Sequence, residues 1–274
     1  MKNLITMTYS GSRLSEVQEP HPQPPPRSSR GDYDVPFMIS KRYKVQLIAP
    51  YREPMVSPEQ CPRQRNQLNT QAIPKLVTFE DFAAWRPEGG RYELHDGVIV
   101  EMAQPVGDHE DIVGFLVEKI AVEYVRNGLP YFIPKTALVK SAISQSCYSP
   151  DLLLLNRPAL KLEPLWQKYS TVEFADSIPL VIEVISTNWR DDYYKKLGEY
   201  EQIGIKEYWI VDYLAIGGKK FIGNPKQPTI SIYQLVDGEY RVTQFRGDDR
   251  IVSPIFPELN LIAQQILQAG SSQS

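Results

Sequence analysis

Ser149-Pro150-Asp151-Leu152-Leu153-Leu154-Leu155 and Leu180-Val181-Ile182-Glu183-Val184-Ile185 stand in one stretch, residues 147–200, which closes on Asp191, Asp192, Lys195, Lys196 and Tyr200. Both apolar runs read as strands, and their lack of clean alternation marks strands covered on both faces. Each carries one carboxylate. Pro150 has no backbone donor and suits the start of a strand, which leaves Asp151 at the edge of a sheet beside four leucines. Glu183 lies in mid-strand. A lone carboxylate buried there is costly, so such a group pairs with a cation or holds a metal.

A helix is expected from Asp191 to Ile203, closed by Gly204. On it positions 192, 196 and 200 share a face, which aligns Asp192, Lys196 and Tyr200. The loop before this helix is short and can return its first turn to the end of the Glu183 strand. The plainer readings are a solvated Asp192–Lys196 pair, worth a few tenths of a kcal/mol, and a structural cation for Glu183.

Working outward, Thr78 reads as a helix N-cap with Glu80 and Asp81 in the first turn. Asp96-Gly97 between alternating strands over 91–100 is a hairpin signal, repeated at Asp237-Gly238. Ile112, Val113, Leu116, Ile120 and Val125 recur at helical spacing over 108–126. Strands are expected over 131–139, 147–156 and 207–212, and a terminal helix over 259–267. The connection 157–177 is polar and gives no clear pattern. The predicted fold is α/β (α+β): a mixed central sheet flanked by helices, with an N-terminal β-hairpin.

The 274 residues divide by composition. Ten of the 23 prolines fall in residues 1–70, so residues 1–74 are expected to be a disordered or weakly ordered extension, with Val45–Ile48 its one apolar patch. The folded body is expected over 75–268 and a frayed tail over 269–274. Residues 1–70 carry a balance of +4, which leaves −7 on the remainder of a chain whose net charge is −3. An acidic body argues against a broad non-specific nucleic-acid platform. Cys61 and Cys147 give neither a disulfide framework nor zinc spacing. No apolar run is long enough to predict a transmembrane helix, Met1 to Gln18 lacks the sustained apolar core expected of a secretory signal, and a cytoplasmic protein is expected.

The ordered set Tyr92-Glu93-Leu94, Asp96-Gly97, His109, Pro150-Asp151, Glu183-Val184, Ser186, Asp192, Lys196-Leu197, Tyr200, Gly204 and Glu207-Tyr208-Trp209 resembles the bacterial family of putative restriction endonucleases, once labelled a domain of unknown function and expanded in cyanobacteria. The resemblance spans about residues 75 to 268. It implies a restriction-endonuclease-like fold and a PD-(D/E)XK site binding Mg²⁺, with Mn²⁺ as substitute. Ile185 stands where that pattern has its lysine. In this family the lysine is thought to lie on the following helix, where Lys196 matches and Lys195 is the adjacent alternative. The implied activity is Mg²⁺-dependent hydrolysis of DNA phosphodiester bonds, with Asp151, Glu183 and Lys196 catalytic. Glu93 is the further acidic ligand, and His109, Asp192, Lys195 and Tyr200 support the site. Homodimerisation would suit cutting of both strands. A nuclease-like binding or scaffold protein without catalysis is the competing class.

Overall fold

The computed structural model describes residues 76–270 apart from Glu88, all within the second of the two units into which the chain divides, Asn69–Ser274. The Pro-rich extension expected over 1–74, with Val45–Ile48 and Cys61, lies outside the described residues, as do residues 271–274.

Helix α1 (Phe79–Trp85) starts where Thr78 accepts a hydrogen bond from the Asp81 amide at 3.1 Å. Strands β1 (Tyr92–His95) and β2 (Val98–Glu101) form the expected hairpin, with Asp96 and Gly97 both at positive φ. A two-residue turn needs that conformation to match the strand twist. The long helix α2 (Gly107–Arg126) follows, burying Ile112, Leu116 and Ile120 along one face.

Two expected strands each divide in two. The stretch 131–139 becomes β3 (Tyr131–Phe132) and β4 (Leu138–Lys140), with Pro134 between them. The stretch 147–156 becomes β5 (Cys147–Tyr148) and β6 (Leu152–Asn156), with Pro150 between them. Proline removes a ladder donor and fixes φ, so pairing stops and the chain changes sheets at each. The polar connection contains α3 (Trp166–Tyr169) and β7 (Thr171–Val172), which pairs parallel to β4.

Strand β8 (Leu180–Val184) leads to a π-helical turn, Asp191–Lys196, and then α4 (Leu197–Ile203). The expected single α-helix therefore opens with a wider turn. Strand β9 (Glu207–Asp212), the short α5 (Lys219–Ile222) and the hairpin β10 (Thr229–Val236) and β11 (Glu239–Phe245) follow. The terminal helix α6 runs Ala263–Ala269, later than expected: Leu259, which closes a turn with its amide on the Phe256 carbonyl, and Leu261 are buried before it begins.

The single central sheet expected from the sequence is two mixed sheets. One has the order β2-β1-β5-β4-β7 and the other β11-β10-β9-β8-β6-β3. In the larger sheet only β8 and β9 run parallel. Its two faces carry separate cores. Leu152, Leu154 and Ile182 pack with α2 and α6 residues, whereas Leu153, Leu155 and Val181 pack with Tyr193, Tyr200 and Tyr208. Each fully buried leucine contributes about 1.5–3 kcal/mol, enough in sum to bear a few buried charges. No helix among the described residues is long and apolar enough to cross a membrane.

Candidate active site

Strand alternation puts Glu183 on the same face as Val181 and Ile185, turned toward the π-helical turn and α4. Its side chain is 3% exposed. The wider turn brings a cation to it: Lys196 Nζ stands 3.1 Å from Glu183 Oε1, and the Tyr200 hydroxyl donates to the same oxygen at 3.2 Å. Lys196 Nζ is also 3.1 Å from Asp192 Oδ1 and 3.3 Å from Glu93 Oε1. One buried ammonium thus faces three carboxylates from a strand, a helical turn and the hairpin.

Glu93 enters from β1 and is buried. The Ser149 amide donates to its Oε1 at 2.9 Å, and His95 Nε2 lies 2.7 Å from its Oε2. Asp151 sits at the break between β5 and β6. It accepts from the Val184 amide at 2.9 Å, has His109 Nε2 3.2 Å from its Oδ2, and has Arg91 Nη2 3.3 Å from its Oδ1. His109 comes from the first turn of α2, and its Nε2 is also 3.2 Å from the Val184 carbonyl. A carbonyl oxygen only accepts, so Nε2 carries the proton. His109 is then a fork that ties Asp151 to the strand bearing Glu183.

Burial is the largest influence on Glu183, Asp192, Glu93, Asp151, Lys196 and His109; it prevails at Glu183 and Asp192 and is overcome by neighbours at the other four. Burial pushes the Glu183 carboxyl well up, and Asp192, Asp151 and Glu93 add repulsion, against the opposing pull of Lys196. Burial likewise raises Asp192, to about 6, with Lys196 again opposing. Burial would raise Glu93 too, but Lys196 and the His95 contact hold it at about 2. Asp151 is held low against burial by His109 and the Val184 amide. Burial disfavours the Lys196 ammonium, yet Glu183, Glu93 and Asp192 raise its pKa well above the usual value, so it stays charged. The His109 pKa rises because Asp151 outweighs burial.

All the candidates except Lys195 meet in this network. Lys195 turns away to Asp96 of the hairpin turn, at 2.7 Å and partly in solvent. Arg91 and His95 belong to the network and were not singled out by sequence. The i,i+2 spacing of Glu93 and His95 on one strand was the available signal for His95, whereas the Arg91 contact spans 60 residues and had none. Cys147 is buried among Phe79, Phe82 and Leu94, and burial pushes its thiol far up, as suits a packing residue.

A cleft of about 940 Å³ reaches the edge of this network at Asp151 and Arg91, while Glu93, Glu183, Asp192 and Lys196 lie behind its wall. Asp151, Ser149 and Pro150 form part of its wall, and Arg86, Arg91 and Lys135 line it with Tyr92 and Tyr124. Among the described residues no three His, Cys, Asp or Glu side chains are preset to hold a metal ion. The oxygens of Glu93 and Asp151 already have protein partners, while burial and mutual repulsion push the Glu183 and Asp192 carboxyls toward their neutral forms beside a single ammonium.

The family described as "Putative restriction endonuclease" (Uma2) matches residues 79–264. No curated protein matches the chain. The solved structure titled a putative nuclease belonging to DUF820, from Anabaena variabilis ATCC 29413, resembles this fold with a TM-score of 0.55 at 16% identity. The match covers 71% of this chain and 99% of that one. It bears out the α/β restriction-endonuclease-like fold class and, at that identity, speaks for the fold alone.

Proposed function

Because the chain belongs to the Uma2 family of putative restriction endonucleases, we propose that it is a Mg²⁺-dependent endonuclease hydrolysing phosphodiester bonds of DNA at the network around Lys196. The observation that carries this reading is one buried ammonium shared by Glu183, Asp192 and Glu93, with two of those carboxyls pushed up. Three carboxyl groups buried around one ammonium, next to an Asp151 that reaches the cleft, are unfavourable for folding alone and suit a site for a cation.

Asp151 and Glu183 would hold Mg²⁺, or Mn²⁺ in its place, through oxygen, with waters completing the octahedron and Glu93 as the further acidic donor. Such an ion, when bound, supplies a more acidic water and neutralises charge on the scissile phosphate. His109 and the Val184 amide orient Asp151 toward that position. Lys196, held protonated, acts as a donor that positions the attacking water or stabilises charge building on the phosphoryl oxygens, and not as a base. Asp192, near 6, is the group suited to exchange a proton near neutrality. Tyr200 fixes the Glu183 oxygen that faces Lys196. Arg86, Arg91 and Lys135 would meet the phosphates of a strand lying in the cleft.

Nicking of supercoiled plasmid with Mg²⁺ or Mn²⁺ tests this. Wild type should nick, and Asp151→Asn and Lys196→Met should each lose about 100-fold or more in rate. An intact plasmid with either metal, or variants that nick like wild type, would remove the enzymatic reading. A second reading, a nuclease-like binding protein without catalysis, draws on the protein partners that already occupy both oxygens of Asp151 and of Glu93. It predicts no metal binding at all.

A further inference from the structure

The turn that sends Asp192 and Lys196 inward sends Tyr194 outward, 52% exposed. Around it the protein sets aromatic rings and cations alternately. The Arg190 guanidinium lies 4.7 Å from the Trp189 ring, and Lys220 Nζ lies 4.3 Å from the Tyr194 ring and 4.5 Å from that of Phe221. The platform beneath is packed: buried Tyr193 stacks on Phe221 at 4.4 Å, and Tyr194 meets Phe221 edge-on at 5.1 Å. Gly218 lets the α5 segment close on Trp189, since a Cβ there would lie 3.3 Å from the indole.

Cation–ring pairs at a surface are worth about 0.5–1 kcal/mol and alone need no ligand. Here, though, neither Arg190 nor Lys220 forms an ion pair with a carboxylate among the described residues, on a body whose net charge is negative. Unpaired cations call for an anion, and partly open ring faces call for a planar partner. An unstacked base carrying its phosphate supplies both, whereas a duplex hides its base faces in the stack.

We propose that Trp189, Arg190, Tyr194 and Lys220 form a binding surface for single-stranded nucleic acid, on the outer side of the turn that carries Asp192 and Lys196. This deepens the nuclease reading by naming an unpaired strand as the ligand, but binding at the surface needs neither metal nor cleavage.

The test is fluorescence anisotropy of a labelled oligothymidylate of about 20 nucleotides, titrated with the full chain in EDTA. Tyr194→Ala should weaken binding about fivefold or more, and Tyr194→Phe should restore it. Lys220→Glu and Arg190→Glu should each weaken binding and flatten its salt dependence. A duplex of the same length should bind several-fold more weakly. Variants that bind like wild type, or a duplex that binds as tightly as the single strand, would overturn the proposal. Binding with this dependence but no cleavage under any metal would sink the nuclease reading and keep this surface. Cleavage with no effect of the surface variants on binding would do the reverse.

Discussion

Lys196 Nζ lies 3.1 Å from Glu183 Oε1, with both side chains less than 5% exposed. The lysine reaches the strand from the last position of a π-helical turn, and Asp192 and Glu93 share it. The pair therefore joins the larger sheet, the helix that follows it and the N-terminal hairpin at one point. Removing the Lys196 charge should act on folding as well as chemistry, and the two effects separate by measurement.

Lys196→Met leaves three buried carboxylates facing one another. It should cost about 3–5 kcal/mol in urea unfolding, the usual penalty of stranding a buried charge. Adding Glu183→Gln should recover part of that loss, with a coupling of about 1–3 kcal/mol. Strictly additive losses would mean that the two side chains do not act on each other.

Lys195→Ala should change little. Its partner Asp96 is 67% exposed, and a pair of that kind is worth at most about 1 kcal/mol. Stability should stay within that margin, and plasmid nicking should match wild type. A loss of nicking comparable with that of Lys196→Met would move the catalytic lysine to position 195.

Asp192 gives the fold a pH signature. Its carboxyl rises from the model-compound value of 3.8 to about 6, through burial first and then repulsion from Asp151 and Glu93. Between those values the folded protein holds a proton that the unfolded chain has released. The stability it contributes is complete below pH 3.8 and is lost as pH rises through about 6. Thermal melts from pH 4 to 7 should show Asp192→Asn losing less stability than wild type across that interval. Parallel profiles would show that Asp192 titrates at its ordinary value.

Gly97→Ala tests the hairpin that delivers Glu93. Gly97 has φ +79°, and a Cβ there would come 2.8 Å from Leu76 Cβ and 3.2 Å from the Val77 carbonyl. The strain should cost about 1–3 kcal/mol, read as a lower melting temperature. An unchanged melting temperature would mean that the turn relaxes freely.

The centre of the site was legible because it breaks a rule. A glutamate in the middle of Leu180-Val181-Ile182-Glu183-Val184-Ile185 conflicts with burial, and such conflicts gather where function overrides packing. The Asp-Gly hairpins and the Thr78 cap were legible because they depend on a few adjacent residues. Division into two sheets was not, since Pro134 and Pro150 announce a break without saying which sheet takes the next strand. Nor was the burial of Glu93, whose strand alternates like a half-exposed hairpin until β5 and Ser149 cover it. Arg91 escaped notice for the same reason: its partner is remote in sequence.

Calorimetric titration with Mg²⁺ on wild type and Glu183→Gln tests the central claim most directly. Burial already holds the Glu183 carboxyl toward its neutral form, so the isosteric amide should fold as wild type does, checked by its melting temperature. The account predicts saturable binding to wild type that is lost in Glu183→Gln. No binding to a folded wild type, or equal binding to both proteins, would contradict it and leave the carboxylates as structural partners of Lys196.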